Sequence, residues 1–447
     1  MMALQALRGT TDFLAEDVRR WVAVEHTARR LARLYGYQEL RTPIIEDAAL
    51  FLRSVGETTD IVQKEMFRVT DRGGHDIVLR PEGTAPVVRA YLEHHLHKTQ
   101  GFAKLFYLGP MFRAERPQAG RFRQFHQFGV EAIGSASPWV DVEVISLCLN
   151  MLRDCGVTNP TLLLSSMGCR KNKDQERTAG WLRNELQPHL STLCKECQSR
   201  FDRNVFRVLD CKNPTCITLL SLRLKKQEAE REHATRTEHQ KYLPPLFELC
   251  DECLKDFNEV CRGLKLAGIA FDLKKVFARG LDYYTGTVFE VRAEGLGAQD
   301  AVAAGGRYND LVEELGGPSM GAFGFAAGIE RLLMAVEAGR AQTPSDAVRA
   351  GVYVAVTGPE CLRDAFRLTQ QLRERGVSAL MNYETRSLKA QFREADNARC
   401  RWVAVLGEHE LKNGSVTVKD LEQGTQRTVA FEAFVDEIAG QMKPSCH

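Results

Sequence analysis

No apolar run in this chain approaches the roughly 20 residues that a membrane-spanning helix needs. The opening residues, MMALQALRGTTDF, hold no apolar core of signal-peptide length before their first charge. Both absences argue for a cytoplasmic protein with no membrane partner. A strong charge of either sign is missing too. Lys and Arg number 60 against 58 Asp and Glu, a formal net charge of +2, so any nucleic-acid contact has to come from local basic patches. Neither a G-x-x-x-x-G-K-[ST] loop nor a G-x-G-x-x-G fingerprint is present, which leaves a P-loop or Rossmann nucleotide site unsupported. There is no internal repeat of fixed period. Cysteine is not scarce: 13 of them, an odd number without a secretory signal, favour reduced thiols or a metal site over a disulfide framework.

At 447 residues the chain exceeds what one core usually organises, so two or three domains are expected. Residues 14–35 read as an amphipathic helix with Val18, Trp21, Val22, Leu31 and Leu34 on its apolar side and Gly36 as its stop. Leu40–Ile45 reads as a strand interrupted by Pro43, better suited to an edge or an interface than to a sheet centre. Gly73 and Gly74 mark a hairpin turn before a strand at Ile77–Leu79, and a helix begins near Thr84. Thr84 is placed either to cap that helix or, with Glu82, to point into a cleft. Ser137-Pro138 opens a helix that Gly156 stops.

The stretch FYLGPMFRAERPQAGRFRQFHQFGVEAIG, 106–134, organises the rest. Two apolar-aromatic runs flank an arginine-rich loop, 113–123. Period-2 alternation places Arg123, Phe125, Gln127 and Glu131 on one face of the outgoing strand. A cation, an aromatic plate, an amide and a carboxylate then face one volume, the groups needed to hold a base, a phosphate and a small zwitterion. Arginines at Arg113, Arg121 or Arg123, Arg279 and Arg331 offer guanidinium forks for phosphate or carboxylate, or else serve in ion pairs. From Ile269 onwards glycine-rich turns, including AVAAGGRYNDL, separate strands such as TVFEV and GAFGFAAG, which implies a mostly antiparallel sheet. Beyond 350 a β-α-β-α-β rhythm, a short strand SVTVKD and a last helix read as a small α/β domain with a mainly parallel sheet.

These segments resemble a known family. RGTTDF at Arg8–Phe13, ELRTPIIE at Glu39–Glu46, FRAERPQAGRFRQFHQFGVE at 112–131 and GAFGFAAGIERLL at 321–333 are similar to the motifs of class II aminoacyl-tRNA synthetases. ARGLDYYTGTVFE at 278–290 and AAGGRYNDL at 303–311 resemble segments peculiar to the histidyl-tRNA synthetases. The resemblance implies an α+β catalytic core of class II synthetase fold with a mixed, mainly antiparallel sheet, a helical insertion and a C-terminal α/β anticodon-binding domain. The expected division is core at 1–164, insertion at 165–258, core again at 259–340, linker at 341–350 and anticodon-binding domain at 351–447.

The resemblance also implies roles. Glu82, Gly83 and Thr84 would hold the histidine α-amino group, Gln127 would line that pocket, and Glu131 and Tyr284 would read the imidazole, with Tyr283 in the wall. Arg113 would grip the α-phosphate and the attacking carboxylate. Phe125 would stack on adenine, with Arg121 and Arg331 as further ATP contacts. Arg279 is similar to the family's catalytic arginine. Arg116 and Gln118 would touch the tRNA acceptor end. The implied partners are L-histidine, ATP with Mg2+, tRNA-His and a second copy of the chain, paired through the 39–46 segment. The alternative is a non-catalytic histidine-sensing relative such as the regulatory subunit of ATP phosphoribosyltransferase. That relative lacks the anticodon domain and usually the intact arginine motif, both retained here.

The insertion departs from this pattern. It carries C-x-x-C pairs at Cys194/Cys197 and Cys250/Cys253, with Cys211 and Cys216 between. The two pairs would make a four-thiolate zinc site if the segment between them looped back; otherwise they are ordinary reduced cysteines, and no metal ligand is assigned from the sequence. The charged run at 223–241 reads as a solvated helix or a clamp on tRNA.

Overall fold

The computed structural model describes residues 4–56, 59–117, 120–211, 213–232, 248–273, 281–296, 300–339, 349–384 and 386–441. Arg279, Gln118, most of the 341–350 linker and the part of the charged run beyond 232 lie outside them. The chain divides into two compact units, 1–341 and 342–447.

The first helix, Ala15–Leu34, ends where Gly36 takes φ +82°. Its buried stripe is Trp21, Val24, Ala28, Leu31 and Ala32. Val18, Val22 and Leu34, expected on the apolar face, are exposed, because the stripe that packs on the helices Pro138–Asp154 and Ile329–Gly339 is the one through Val24, Ala28 and Leu31. The expected strand at 40–45 is not formed. Short strands flank it instead: β1 (Gln38–Glu39) and β2 (Ile45–Asp47). Two carbonyls between them are taken by a side chain, for Arg80 donates to Thr42 O at 2.9 Å and Pro43 O at 3.3 Å, and also to the Thr42 hydroxyl at 2.8 Å. β3 (Phe67–Thr70) and β4 (Asp76–Leu79) form the expected hairpin, and β2 pairs with β4 to complete a three-stranded sheet.

The main sheet has seven strands. β5 (Ala103–Phe112) and β6 (Gln124–Ile133) are the antiparallel pair around the arginine loop. β7 (Thr161–Ser166), β8 (Thr285–Arg292), β9 (Ala301–Arg307) and β10 (Ala322–Gly328) follow in sequence. Their spatial order is β1-β5-β6-β10-β9-β8-β7, and only the β1–β5 pairing is parallel. The glycine-rich segment at 301–307, expected as a turn, is strand β9. A Cβ on Gly305 would lie 2.1 Å from the Gly324 carbonyl, so glycine here gives clearance between strands and does not bend the chain. The helix Pro138–Asp154, capped by Ser137 Oγ, buries Val144, Ile145, Leu147, Cys148 and Leu152 against the sheet. Arg307 at the end of β9 forms a buried ion pair with Asp141 of that helix and donates to Ser137 O at 2.7 Å. It is a clasp between sheet and helix; burial holds the Asp141 carboxyl up to about 6 against the pull of the guanidinium.

The insertion is helical in its described part: Asp174–Leu186, Lys195–Arg203, Pro214–Glu232 and Asp251–Leu266. Its last helix runs on through residue 258 and sends Phe257, Val260, Cys261 and Leu264 into the main core.

The second unit is a five-stranded sheet in the order β12-β11-β13-β14-β15. β11 (Val352–Val356) pairs in parallel with β12 (Ala379–Met381) and with β13 (Trp402–Leu406). β14 (Ser415–Asp420) and β15 (Gln426–Ala430) are added antiparallel, so the expected mainly parallel sheet is mixed. β15 was not anticipated because QRTVA is mostly exposed and carries no apolar alternation.

Candidate active site

The hairpin register sets the site. In β5–β6, Leu105 faces Glu131, Tyr107 faces Gly129, Gly109 faces Gln127 and Met111 faces Phe125. On the other side of β6, Gly324 of β10 pairs with Glu131. Glu131 therefore lies in mid-sheet, fully buried. Thr84 Oγ donates to its Oε1 at 2.7 Å, and the Tyr308 hydroxyl is bonded to its Oε2. Burial raises the Glu131 carboxyl to about 8, while Tyr308 and Thr84 pull it down. The backbone opposite has no room for a side chain: a Cβ on Gly324 would stand 1.9 Å from Glu131 Oε2.

Three tyrosine rings close this pocket. Tyr283 lies 4.8 Å from Tyr284 and 5.8 Å from Tyr308, centroid to centroid. Tyr283 and Tyr308 face buried carboxylates, and burial holds both phenols far above the ordinary range. Tyr107 is the fourth buried phenol, and its hydroxyl has no hydrogen-bond partner among the described residues. Gln127 Oε1, on the same face of the sheet, is likewise without one. Two orphaned buried polar atoms on one face mark a place for a polar ligand.

The capping that the sequence offered to Thr84 falls to Glu82. Its oxygens accept from Thr84 N at 2.7 Å and Ala85 N at 2.8 Å, so Glu82 caps the helix Thr84–Glu93 from two residues before it. Gly83 is the N-cap position and is closed against the Tyr107 ring, which a Cβ would approach to 2.3 Å.

Next to Gln127 the sheet opens into a cavity of about 310 Å³. Arg113, Arg121, Phe125, Gln127 and Arg331 all line it, together with Glu115 and the small residues Ala303, Ala304, Ala326 and Gly328. Arg113 is held by Nε donation to Pro81 O at 2.9 Å, and its guanidinium sits 5.2 Å from the Phe125 ring centroid. Glu115 bridges to Arg121 at 2.5 Å. Arg331 donates to Ala301 O at 2.7 Å, and burial lowers its pKa from the usual guanidinium value. Glu330, its neighbour, accepts from His126 N at 2.9 Å and so fixes the start of β6. Arg116 is exposed on the loop, apart from this cavity's lining.

A family model described as Histidyl-tRNA synthetase matches residues 9–332. The chain belongs to the histidyl-tRNA synthetase family. A second model, Anticodon binding domain, matches residues 351–441. The histidine–tRNA ligase of Halothermothrix orenii is 43% identical over 439 residues, covering 98% of this chain and 99% of that one. That of Moorella thermoacetica is 46% identical over 430 residues, 96% of each. Among solved structures, apo histidyl-tRNA synthetase of S. aureus has a TM-score of 0.75 at 32% identity, covering 98% of this chain and 100% of that one. The class II synthetase fold expected from the motifs is thus the family's fold. A Bacillus halodurans chain described as ATP phosphoribosyltransferase regulatory subunit/histidyl-tRNA synthetase shares the fold at 22% identity and a TM-score of 0.62.

Tyr107, Tyr308 and Glu330 are the site residues that the sequence reading missed. Tyr107 had a legible signal, a tyrosine in phase with Glu131 across the hairpin. Tyr308 had none beyond membership of AAGGRYNDL, since its contact with Glu131 spans 177 residues. The cysteines also sort differently from the expectation. Cys194 and Cys197 do not meet Cys250 and Cys253; they gather with Cys211 and Cys216, while Cys250 and Cys253 gather with Cys169 and Asp174. The segment between the two C-x-x-C pairs supplies its own partners for the first pair.

Proposed function

We propose that this chain is a histidine–tRNA ligase. It activates L-histidine with ATP, giving histidyl-adenylate and pyrophosphate, and passes the histidyl group to the 3′ end of tRNA-His. The observation that carries the reading is the juxtaposition of one arginine-lined cavity with a sealed acidic pocket on the same sheet face, joined at Gln127. Adenine stacks on Phe125, Arg331 covers its opposite face and the γ-phosphate end, Arg121 is a further ATP contact, and Mg2+ arrives with ATP as part of that substrate. Arg113 holds the α-phosphate. The histidine carboxylate attacks this phosphorus in line, a P–O bond forms, and the bond to the pyrophosphate leaving group breaks. The substrate is its own nucleophile, so the enzyme supplies position and charge stabilisation and no general base is required. Arg279 acts with Arg113 on the same transition state, a role carried over from the family motif alone.

In the pocket, Glu131 and Tyr284 bond the imidazole nitrogens, Tyr283 shapes the wall, and Gln127, Glu82, Gly83 and Thr84 receive the α-amino group. Buried groups left unpaired by the wrong side chain give the selectivity. Arg116 and Gln118 meet the acceptor end. The 39–46 segment carries exposed Ile44 and Ile45, 43% and 57% accessible, a suitable seam for a homodimer in the cytoplasm. No helix among the described residues is long and apolar enough to cross a membrane.

The test is charging of purified tRNA with each amino acid in turn, alongside ATP–pyrophosphate exchange. A ligase shows exchange that depends on histidine and charges histidine alone. Histidine binding without exchange would instead indicate a sensor of the regulatory-subunit kind.

A further inference from the structure

Four thiols converge in the insertion where no disulfide exists. Cys194, Cys197, Cys211 and Cys216 bring their sulfurs within 4.8 Å of one another, and all are free. The Cys194–Cys211 sulfur separation is 3.8 Å. A disulfide would need about 2.05 Å. A tetrahedron of sulfurs at the usual zinc–thiolate distance of about 2.3 Å has edges of about 3.8 Å. The cluster therefore has the spacing of a tetrathiolate centre and not of an oxidised pair.

Its surroundings suit charge on sulfur. Cys194 is the N-cap of the helix Lys195–Arg203, with Cys197 in the first turn. Cys211 follows a short helical turn, Val205–Asp210, and Cys216 lies in the first turn of Pro214–Glu232. Helix N-termini offer free amides and a favourable dipole to thiolates. Two amides already point at sulfur: Cys194 N–H to Cys216 Sγ at 3.3 Å and Asn213 N–H to Cys211 Sγ at 3.4 Å. Such outer contacts orient and stabilise metal-bound thiolates. Leu193, Phe201, Val205, Val208 and Leu220 of this lobe are buried in the same apolar cluster as Val55, Leu182 and Leu186, so the helix ends that carry the four thiols are fixed by packing before any ion binds.

The second cluster is a control supplied by the molecule. Cys169, Cys250 and Cys253 contribute only three thiols, and the fourth member is Asp174. Both Asp174 oxygens are already engaged: Oδ1 accepts from Cys250 N at 3.1 Å and Arg177 Nη2 at 2.6 Å, and Oδ2 from Cys169 N at 3.1 Å. The Asn172 side-chain amide donates to Cys250 Sγ at 3.2 Å; what sets this cluster apart is that its fourth member is a carboxylate already held by Arg177 and two main-chain amides. This cluster is a hydrogen-bonded clasp.

We propose that Cys194, Cys197, Cys211 and Cys216 bind one structural zinc ion, and that the Cys169–Asp174–Cys250–Cys253 cluster binds none. Binding releases the thiol protons to solvent and needs no redox partner. The test is elemental analysis of the full-length protein, purified without a metal-affinity tag under reducing conditions, then incubated with zinc and desalted. About one zinc per chain is expected. Cys197→Ser and Cys216→Ser are expected to lose it, and Cys253→Ser to keep it. Because a ligand variant can misfold, the wild-type protein is also loaded with cobalt. A four-sulfur tetrahedral site gives intense visible bands and a sulfur-to-cobalt charge-transfer band in the near ultraviolet. Less than about 0.1 zinc after incubation, two zinc ions, iron in place of zinc, or loss of the metal in Cys253→Ser with retention in Cys197→Ser would each overturn the proposal.

Discussion

Around Glu131 every wall is buried, and the carboxylate is held from two directions by hydroxyls of residues 84 and 308. Around Phe125, six residues back along β6 on the same face, the cavity is open and the cations are anchored through their Nε atoms to main-chain carbonyls, Pro81 for Arg113 and Ala301 for Arg331. Arg113 and Arg331 both line that cavity, beside Phe125 and Gln127. The sealed end discriminates, because an unsuitable guest leaves polar groups unpaired in a dry site. The open end stabilises charge that develops during reaction, because its cations are positioned before the substrate arrives. The two ends should therefore fail differently when altered.

The largest effect is expected at the open end. Arg113→Ala should lower the rate of adenylate formation by about 10²–10³-fold, the range for removing one preorganised electrostatic contact. Histidine affinity should fall far less, since only the carboxylate contact is lost and the sealed pocket keeps its partners. Single-turnover kinetics with histidine titration would check this. An equal loss in histidine affinity would erase the distinction between the two ends.

Some of this contrast is readable from sequence and some is not. Phe125, Gln127 and Glu131 share a face because a strand alternates, and the run of residues shows it directly. Arg113 stands at the strand exit beside them. What the sequence hides is register between distant strands. Gly324 is a glycine because Glu131 lies opposite it, and no local pattern links positions so far apart. The same reason conceals Tyr308 and the pairing of Cys194 and Cys197 with Cys211 and Cys216. β9 was mistaken for a turn because glycine signals bending and close approach alike. Arg307, assigned no role from the sequence, is a buried clasp to Asp141 and is not among the residues lining the cavity.

The intermediate effect belongs to Glu131. Glu131→Gln should weaken histidine binding by roughly 10- to 100-fold, the consequence of mismatching one buried polar contact, and leave ATP binding within about threefold. Calorimetric titration of each ligand would read both; equal losses would remove Glu131 from the pocket. The same variant has a pH signature. Burial raises the Glu131 carboxyl from 4.5 to about 8. Between those values the folded, ligand-free protein keeps a proton that the unfolded chain has released. Stability then falls as pH rises through that window, since the folded state binds more protons. Glutamine cannot titrate, so Glu131→Gln should flatten this part of the denaturation midpoint-versus-pH curve.

The smallest effect separates support from contact. Tyr308 touches Glu131 and is fully buried, so it positions the carboxylate for the ligand. Tyr308→Phe keeps the ring packed against Tyr283 and removes only the hydroxyl. Losing one hydrogen bond of this kind costs about 0.5–1.5 kcal/mol, or roughly 2- to 10-fold in an equilibrium constant. The change should fall on KM for histidine and not on KM for ATP or on kcat. It should also move the Glu131 inflection to higher pH, because the Tyr308 bond is one of the two that pull that pKa down. A merely structural tyrosine would instead lower Tm and affect both substrates alike, with the inflection unmoved. Pyrophosphate exchange measured from pH 6 to 9 at saturating ATP distinguishes the two, and an unshifted inflection would assign Tyr308 to packing alone.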